Sequence, residues 1–310
     1  MPVLRLSEAR IVVDDVVAVE QLSLLSQGDR VLLVGEVDEL MSLLTGVSMS
    51  ARGRVKKSAQ IAASSELPGK ARLSRGEVFV CGRPVGAGGA HLVHAGVAAL
   101  DPPLPRGFTA EQYLGWGARL SGVSKSASAE LAVNALARVG LAQSRKRPVE
   151  SFALPERRAL LLAHAGVTSP EVIIAEAPLS GLEGAAAEFV LAAIAAVTLG
   201  RKAILSASRL SPASPEGFLA EGASYVAVIA GGALALSGVP GELLSGTSVY
   251  GLTVRANAAA LENELVQRGM RCSGGPKHFS VVLPEGAGSR DILMAAKAAK
   301  ATIVELLPLI

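Results

Sequence analysis

The chain has 310 residues, half of them hydrophobic and 18% charged, with a formal net charge of +3 at pH 7. That length admits one large domain or two modest ones. The apolar share excludes a disordered chain, and so small a positive balance gives no ground for a nucleic-acid partner. Aromatic residues make up only 3%, so the core must be aliphatic. Cys81 and Cys272 lack metal-like spacing and suggest a reducing compartment more than a disulfide framework. No basic stretch followed by an apolar one opens the chain, so no signal peptide is expected.

From Val3, "VLRLSEARIVV" and "EQLSLLSQGDRVLLVG" alternate apolar runs with polar turns and predict strands, with Gln27-Gly28-Asp29 as a turn. A helix is expected through Leu40 to Thr45, and between strand and helix stands Glu36-Val37-Asp38-Glu39. Residues 47–75 are polar and Ser-rich, with seven Lys/Arg against one Glu. They predict a basic surface loop or insertion, a surface for an acidic partner or lipid headgroups. "GEVFVCG" (76–82) reads as a strand, and residues 108–141 as helical. "PERRALLLAHAG" (155–166) has Pro at a helix start and Gly at its end. A buried strand "EVIIAEAP", a helix "AAEFVLAAIAAVTLG" and a strand "KAILSAS" follow. This alternation predicts an α/β fold with a mainly parallel sheet. Residues 222–241 carry no charge, but Gly231-Gly232 divides them into a hairpin rather than a membrane span. After Tyr250 the pattern becomes β-α-β-β-α-β, a small separate unit.

In this order the segments resemble the nucleotide-binding subunit of ABC transporters. "LLTG" with "GEVFVCGRPV" is similar to the helix and strand after that family's phosphate loop. "LDPPLPRGFTAEQYLGWGARLSG" resembles the Q-loop region and the start of the helical subdomain. "VESFALPERRALLLAHAGVTSPEVIIAEAPLSGLEG" resembles the signature motif, its helix, the Walker B strand and the D-loop. "KAILSASRL" resembles the strand bearing the switch histidine, and "VAVIAGGALALSGVPGELL" the hairpin that closes the core. The tail is similar to C-terminal appendages of ATPases serving ABC-2 type exporters. The resemblance implies a P-loop NTPase-like (RecA-like) cassette over residues 1–248. It would carry an antiparallel β subdomain, a helical subdomain at about 101–165 and the basic insertion 47–75. Residues 250–310 would form a C-terminal βαββαβ appendage. It also implies a cytoplasmic protein, peripheral at the inner face of the cell membrane, whose partners are a permease and/or a second cassette.

The positions that carry the family's chemistry depart from its pattern. A phosphate loop uses glycines, a lysine and a hydroxyl to hold phosphate and Mg²⁺. Here no lysine lies between Arg30 and Arg52, and Gly35 is followed by Glu36, Asp38 and Glu39. One carboxylate about 5 Å from a phosphate charge costs roughly 3 kcal/mol at an effective dielectric near 20. Ser42 is a nearby hydroxyl, expected as an exposed polar residue of the helix. The adenine-stacking aromatic falls near Val13 and the Q-loop glutamine near Leu100. The signature falls on Phe152-Ala153-Leu154-Pro155-Glu156. Pro178 and Ser180-Gly181-Leu182 set the Walker B frame, so the metal-binding aspartate becomes Glu176 and the catalytic glutamate Ala177, which cannot orient water. The switch histidine becomes Ser208, and Glu183 replaces the D-loop aspartate.

These departures predict a non-catalytic cassette without ATP or Mg²⁺ as cofactor. It would be a structural or regulatory partner of an ABC-2 type permease and/or an active cassette. The alternatives are a cytoplasmic scaffold that has left transport and an unorthodox ATPase using cations of the segment 47–75. His91 and His94 are too few for a metal site and read as a plain loop. His164 reads as a packed helix residue. Ser151 and Ser180 have no evident histidine partner.

Overall fold

Strands alternate apolar and polar residues when one face meets a core and the other meets water. In the computed structural model, which describes residues 1–47, 71–86, 89–211, 214–244 and 248–310, the first such sheet has the order β2-β1-β4-β5. It comprises β1 (Leu4–Val13), β2 (Val16–Leu25), β4 (Arg72–Val80) and the two-residue β5 (Arg83–Pro84), all antiparallel. The pairing of β1 with β4 slips between Ser7 and Arg10. Gly76 permits the slip, because a Cβ there would lie 2.3 Å from the Glu8 carbonyl oxygen.

β4 begins at Arg72, which corrects the boundary of the basic segment: residues 72–75 are strand, not loop. Arg72, Ser74, Arg75, Gly76 and Glu77 are all exposed, so neither face of this stretch shows the apolar alternation that would have revealed it. The rest of the segment, 48–70, lies outside the described residues.

The central sheet has the order β10-β9-β3-β8-β7-β6. Five strands run parallel: β3 (Arg30–Gly35), β6 (Ala95–Ala98), β7 (Val172–Ala175), β8 (Lys202–Ala207) and β9 (Tyr225–Ala230). β10 (Ala233–Gly238) returns antiparallel through Gly231-Gly232, the hairpin expected from that pair. Both faces of the sheet are covered, so its strands are apolar runs. Val31 and Leu33 pack with the first sheet and with α1 (Asp38–Thr45). Leu32 and Val34 face a helical core. It draws on α2 (Ala110–Leu120), α3 (Lys125–Arg138), α4 (Leu154–Gly166), α5 (Gly184–Thr198), α6 (Pro215–Glu221) and α7 (Pro240–Leu244). Thr109 and Gln112 form a reciprocal cap on α2, and Ser124 caps α3. His164 packs inside α4, stacked on Tyr113 with ring centroids 4.8 Å apart, and burial lowers its pKa.

The third sheet is wholly antiparallel, in the order β12-β13-β11-β14. Its strands are β11 (Ser248–Ala256), β12 (Arg271–Gly274), β13 (His278–Leu283) and β14 (Thr302–Pro308). With α8 (Ala258–Gln267) and α9 (Ser289–Ala298) it forms the expected β-α-β-β-α-β series. Leu252, Val254, Phe279 and Val281 pack with Leu261, Leu265 and Ile292 of the two helices. Alternate residues point the other way: Val249 and Val282 join the core of the central sheet. No helix among the described residues is long and apolar enough to cross a membrane.

Candidate functional site

Parallel strands place the loops that follow them along one edge, where α/β sheets bind ligands. That edge gathers most of the residues singled out from the sequence: Gly35 and Glu36 after β3, Leu100 after β6, Glu176 and Ala177 after β7, and Ser208 after β8. A cleft of about 660 Å³ is lined there by Gly35, Glu36, Asp38, Glu39 and Ser208. Val17 and Ala18 of β2 reach it rather than Val13. From the third sheet come His278 and Leu307, and from beside its strands Lys277 and Leu309.

The joint after β3 is held by its own groups. The Glu36 N–H donates to Ile229 O at 2.8 Å, and the Val37 N–H donates to Gly35 O at 3.1 Å. Gly35 has φ +98, and a Cβ on it would sit 2.3 Å from Ile229 O, so glycine is required for this contact. The Glu36 carboxylate accepts the Gly231 N–H at 2.8 Å through Oε2 and lies 2.6 Å from His278 Nε2 through Oε1. α1 has no side-chain cap, and Asp38 and Glu39 occupy its first turn. Carboxylates there complement the positive end of the helix dipole, the same end that attracts phosphate in a phosphate-binding loop.

Ser42 corrects an expectation. It is buried rather than exposed, and its Oγ–H donates to Val47 O at 2.7 Å. α1 lies under the first sheet, so its central turn has no wet face. His91 also departs from the plain-loop reading: it is buried, with Nε2 3.0 Å from Leu44 O, and burial lowers its pKa. Among the described residues no cluster of three or more His, Cys, Asp or Glu could hold a metal ion.

Behind the cleft, Glu176 is buried and accepts the Leu100 N–H at 3.1 Å. The Ala177 N–H donates to Ser206 Oγ at 2.9 Å, with Ala177 at φ +38. Arg158 of α4 is buried beside them and meets Asp101 through its two terminal nitrogens, Nη1 and Nη2, at 3.0 and 3.2 Å. Burial lowers its pKa, and the charges of Asp101 and Glu176 work against that shift. Arg158 and Asp101 carried no sequence signal, since a buried arginine on an apolar helix looks like any surface charge.

The segment Phe152–Glu156 lies apart, at the start of α4. Arg147 sits 4.7 Å from the centroid of the Phe152 ring and donates to both Glu156 oxygens, at 2.6 and 3.2 Å. These bonds hold the Glu156 pKa below the usual carboxylate value. Glu156 also accepts the Ala153 N–H at 3.0 Å. Ala153 has no side-chain acceptor, so only half of a capping box is present. A groove of about 790 Å³ lies at the opposite edge of the central sheet. There Glu171 bridges Arg83 and Lys202, and its pKa is lowered by them.

The arrangement of sheets matches solved ATP-binding cassettes. CbiO1 from Clostridium perfringens, part of the ABC transporter complex CbiONQ, superposes with a TM-score of 0.59 at 17% identity, covering 79% of this chain and 91% of that one. MJ1267, an ATP-binding cassette of an ABC transporter, superposes with a TM-score of 0.60 at 16% identity over 79% and 96%. A nucleotide-free cassette from an ABC transporter gives 0.58 at 16% identity over 77% and 92%. The chain has the fold of an ATP-binding cassette. No protein-family model and no curated protein matches the sequence. The carboxylates of the joint after β3 line the cleft at the edge where the parallel strands end.

Proposed function

We propose that this chain is a non-catalytic ABC-transporter ATPase-like subunit, a structural or regulatory partner of an ABC-2 type permease and/or an active cassette. One observation carries the reading. The joint after β3 carries Glu36, Asp38 and Glu39 and no lysine, and its first two N–H groups are already donated to Ile229 and Gly35 carbonyls. A phosphate cradle needs converging, unused N–H groups. The other positions agree: Ala177 offers no group to orient water, Ser208 is no histidine, and Phe152–Glu156 lacks the glycines for a close approach to phosphate.

Without nucleotide as glue, association must rest on protein contacts, and a stable interface buries about 1,200–2,000 Å² in total. The region 108–141 is the first choice of contact surface for a permease, with Trp116 and Leu120 exposed on α2. The basic segment 47–75 is the second, for an acidic partner or lipid headgroups. The protein would then be cytoplasmic and peripheral to the membrane. Copurification from native membranes, with and without ATP, tests this. A permease or second cassette should be recovered equally in both conditions. Recovery of neither would leave a free scaffold derived from a cassette, and recovery only with ATP would favour an active site.

A further inference from the structure

We propose that Glu36 and His278 form a pH-sensitive latch that fastens the third sheet across the joint after β3. The two residues are 242 positions apart in the chain, so the contact ties one folding unit to another. Glu36 Oε1 lies 2.6 Å from His278 Nε2, while Oε2 holds the Gly231 N–H at 2.8 Å. On the other side of the ring, Nδ1 lies 2.8 Å from Thr253 Oγ1, which lies 3.4 Å from Glu305 Oε2. Gly231 lets the two units meet: a Cβ there would lie 2.5 Å from His278 O.

Counting protons shows which state of the ring this row of contacts fits. A threonine hydroxyl carries one hydrogen. With a neutral ring donating from Nε2 to Glu36, Nδ1 is an acceptor and takes the Thr253 hydrogen, and the Thr253–Glu305 contact has no donor. With an imidazolium, Nδ1–H donates to Thr253, Thr253 donates to Glu305, and Nε2–H donates to Glu36. Every contact is then filled, and a positive ring lies between two carboxylates.

The charged surroundings are Glu36 on the joint, Glu305 on β14, Asp38 and Glu39 lining the same cleft from α1, and the adjacent cation Lys277. The hydrogen bond to Glu36 raises the His278 pKa above 6.5; partial burial opposes it, and the charges of Glu36 and Glu305 add to the rise. A pKa raised in the closed form means that protonation favours closure. The contribution is fully present below the ring's open-form pKa and is lost as pH rises through the raised value. Alkaline conditions therefore loosen the latch and open the cleft to which both units contribute.

The test uses the full chain. The His278 ring is titrated by NMR, and exchange of the Gly231 amide, corrected for its intrinsic rate, is followed from about pH 6 to pH 8, across the range where histidine titrates. In the wild type the ring should titrate above 6.5, and the opening equilibrium at Gly231 should grow with pH. By linkage, the fold change across the full titration should equal the ratio of the ring's closed-form and open-form acid constants. Glu36→Gln should lower the ring's pKa and flatten the pH dependence. Glu305→Gln, which leaves both Glu36 contacts in place, should lower the pKa and shrink the dependence part of the way. It keeps the test sound if Glu36→Gln fails to fold. A ring titrating at or below 6.5 in the wild type, or Gly231 protection independent of pH, would overturn the latch.

Discussion

At the scale of single residues, the joint after β3 is defined by close approaches that only glycine allows. Gly231 has φ +59 and no space for a Cβ on the side of His278. Gly241, in α7, has nothing within 4 Å of a built Cβ. Gly231→Ala should therefore destabilise the protein by about 1–3 kcal/mol, through backbone strain and a clash between units. Gly241→Ala should be neutral or stabilising by up to about 1 kcal/mol, because alanine is the better helix residue. Urea unfolding of the two variants checks this, and equal midpoints would contradict it. The sequence made Gly231-Gly232 legible as a turn, since two β-rich runs flank it. It could not reveal the approach of His278, because nothing local marks a partner so distant in the chain. Glu36, Asp38 and Glu39 were legible as a carboxylate joint, but the clamp that Glu36 makes was not. Ser42 was misread for a related reason: a hydroxyl one turn from acidic residues looks solvated until the sheet above it is known.

At the scale of elements, the runs that could be read were those with strong periodicity and clear ends. α4 begins with Pro155 near its start, β7 and β9 are apolar throughout, and α8 and α9 alternate with short strands. The elements missed were short or weakly patterned. β6 is Ala-Gly-Val-Ala, too brief for a period, and Gly96 within it presses on α4, where a Cβ would lie 1.8 Å from Ala165 O. α6 has seven residues and α7 five, so neither shows two full helical repeats. α4 also carries an incomplete N-terminus: Glu156 reaches back to Ala153, whose methyl cannot return the bond. Ala153 already has the extended backbone of an N-cap, φ −67 and ψ 163. Ala153→Ser should thus supply the missing acceptor and stabilise the protein by about 1 kcal/mol. Thermal or urea unfolding reads this directly, and a serine variant no more stable than the wild type would show that the cap is already satisfied by other means.

At the scale of the whole molecule, a cassette fold and a ferredoxin-like C-terminal sheet meet over the edge where the central strands end. The mainly parallel character of the central sheet and its closing hairpin were legible in the βαβ alternation, but the strand order was not, since β6 gave no pattern to place. Nor was the docking of the third sheet onto that edge, since Val249, Val282 and Leu309 look like ordinary strand residues until they are seen in the central core. The same edge carries Glu36, Asp38 and Glu39, and the proposed function requires that ATP does not bind there. Isothermal titration of the full chain with ATP and Mg²⁺ at low millimolar concentration, supported by thermal shift, tests it most directly. A ligand present at 100 times its Kd would stabilise the fold by about 2.7 kcal/mol, an effect too large to miss. The account predicts no saturable heat and no saturating shift; a saturable response to ATP would contradict it.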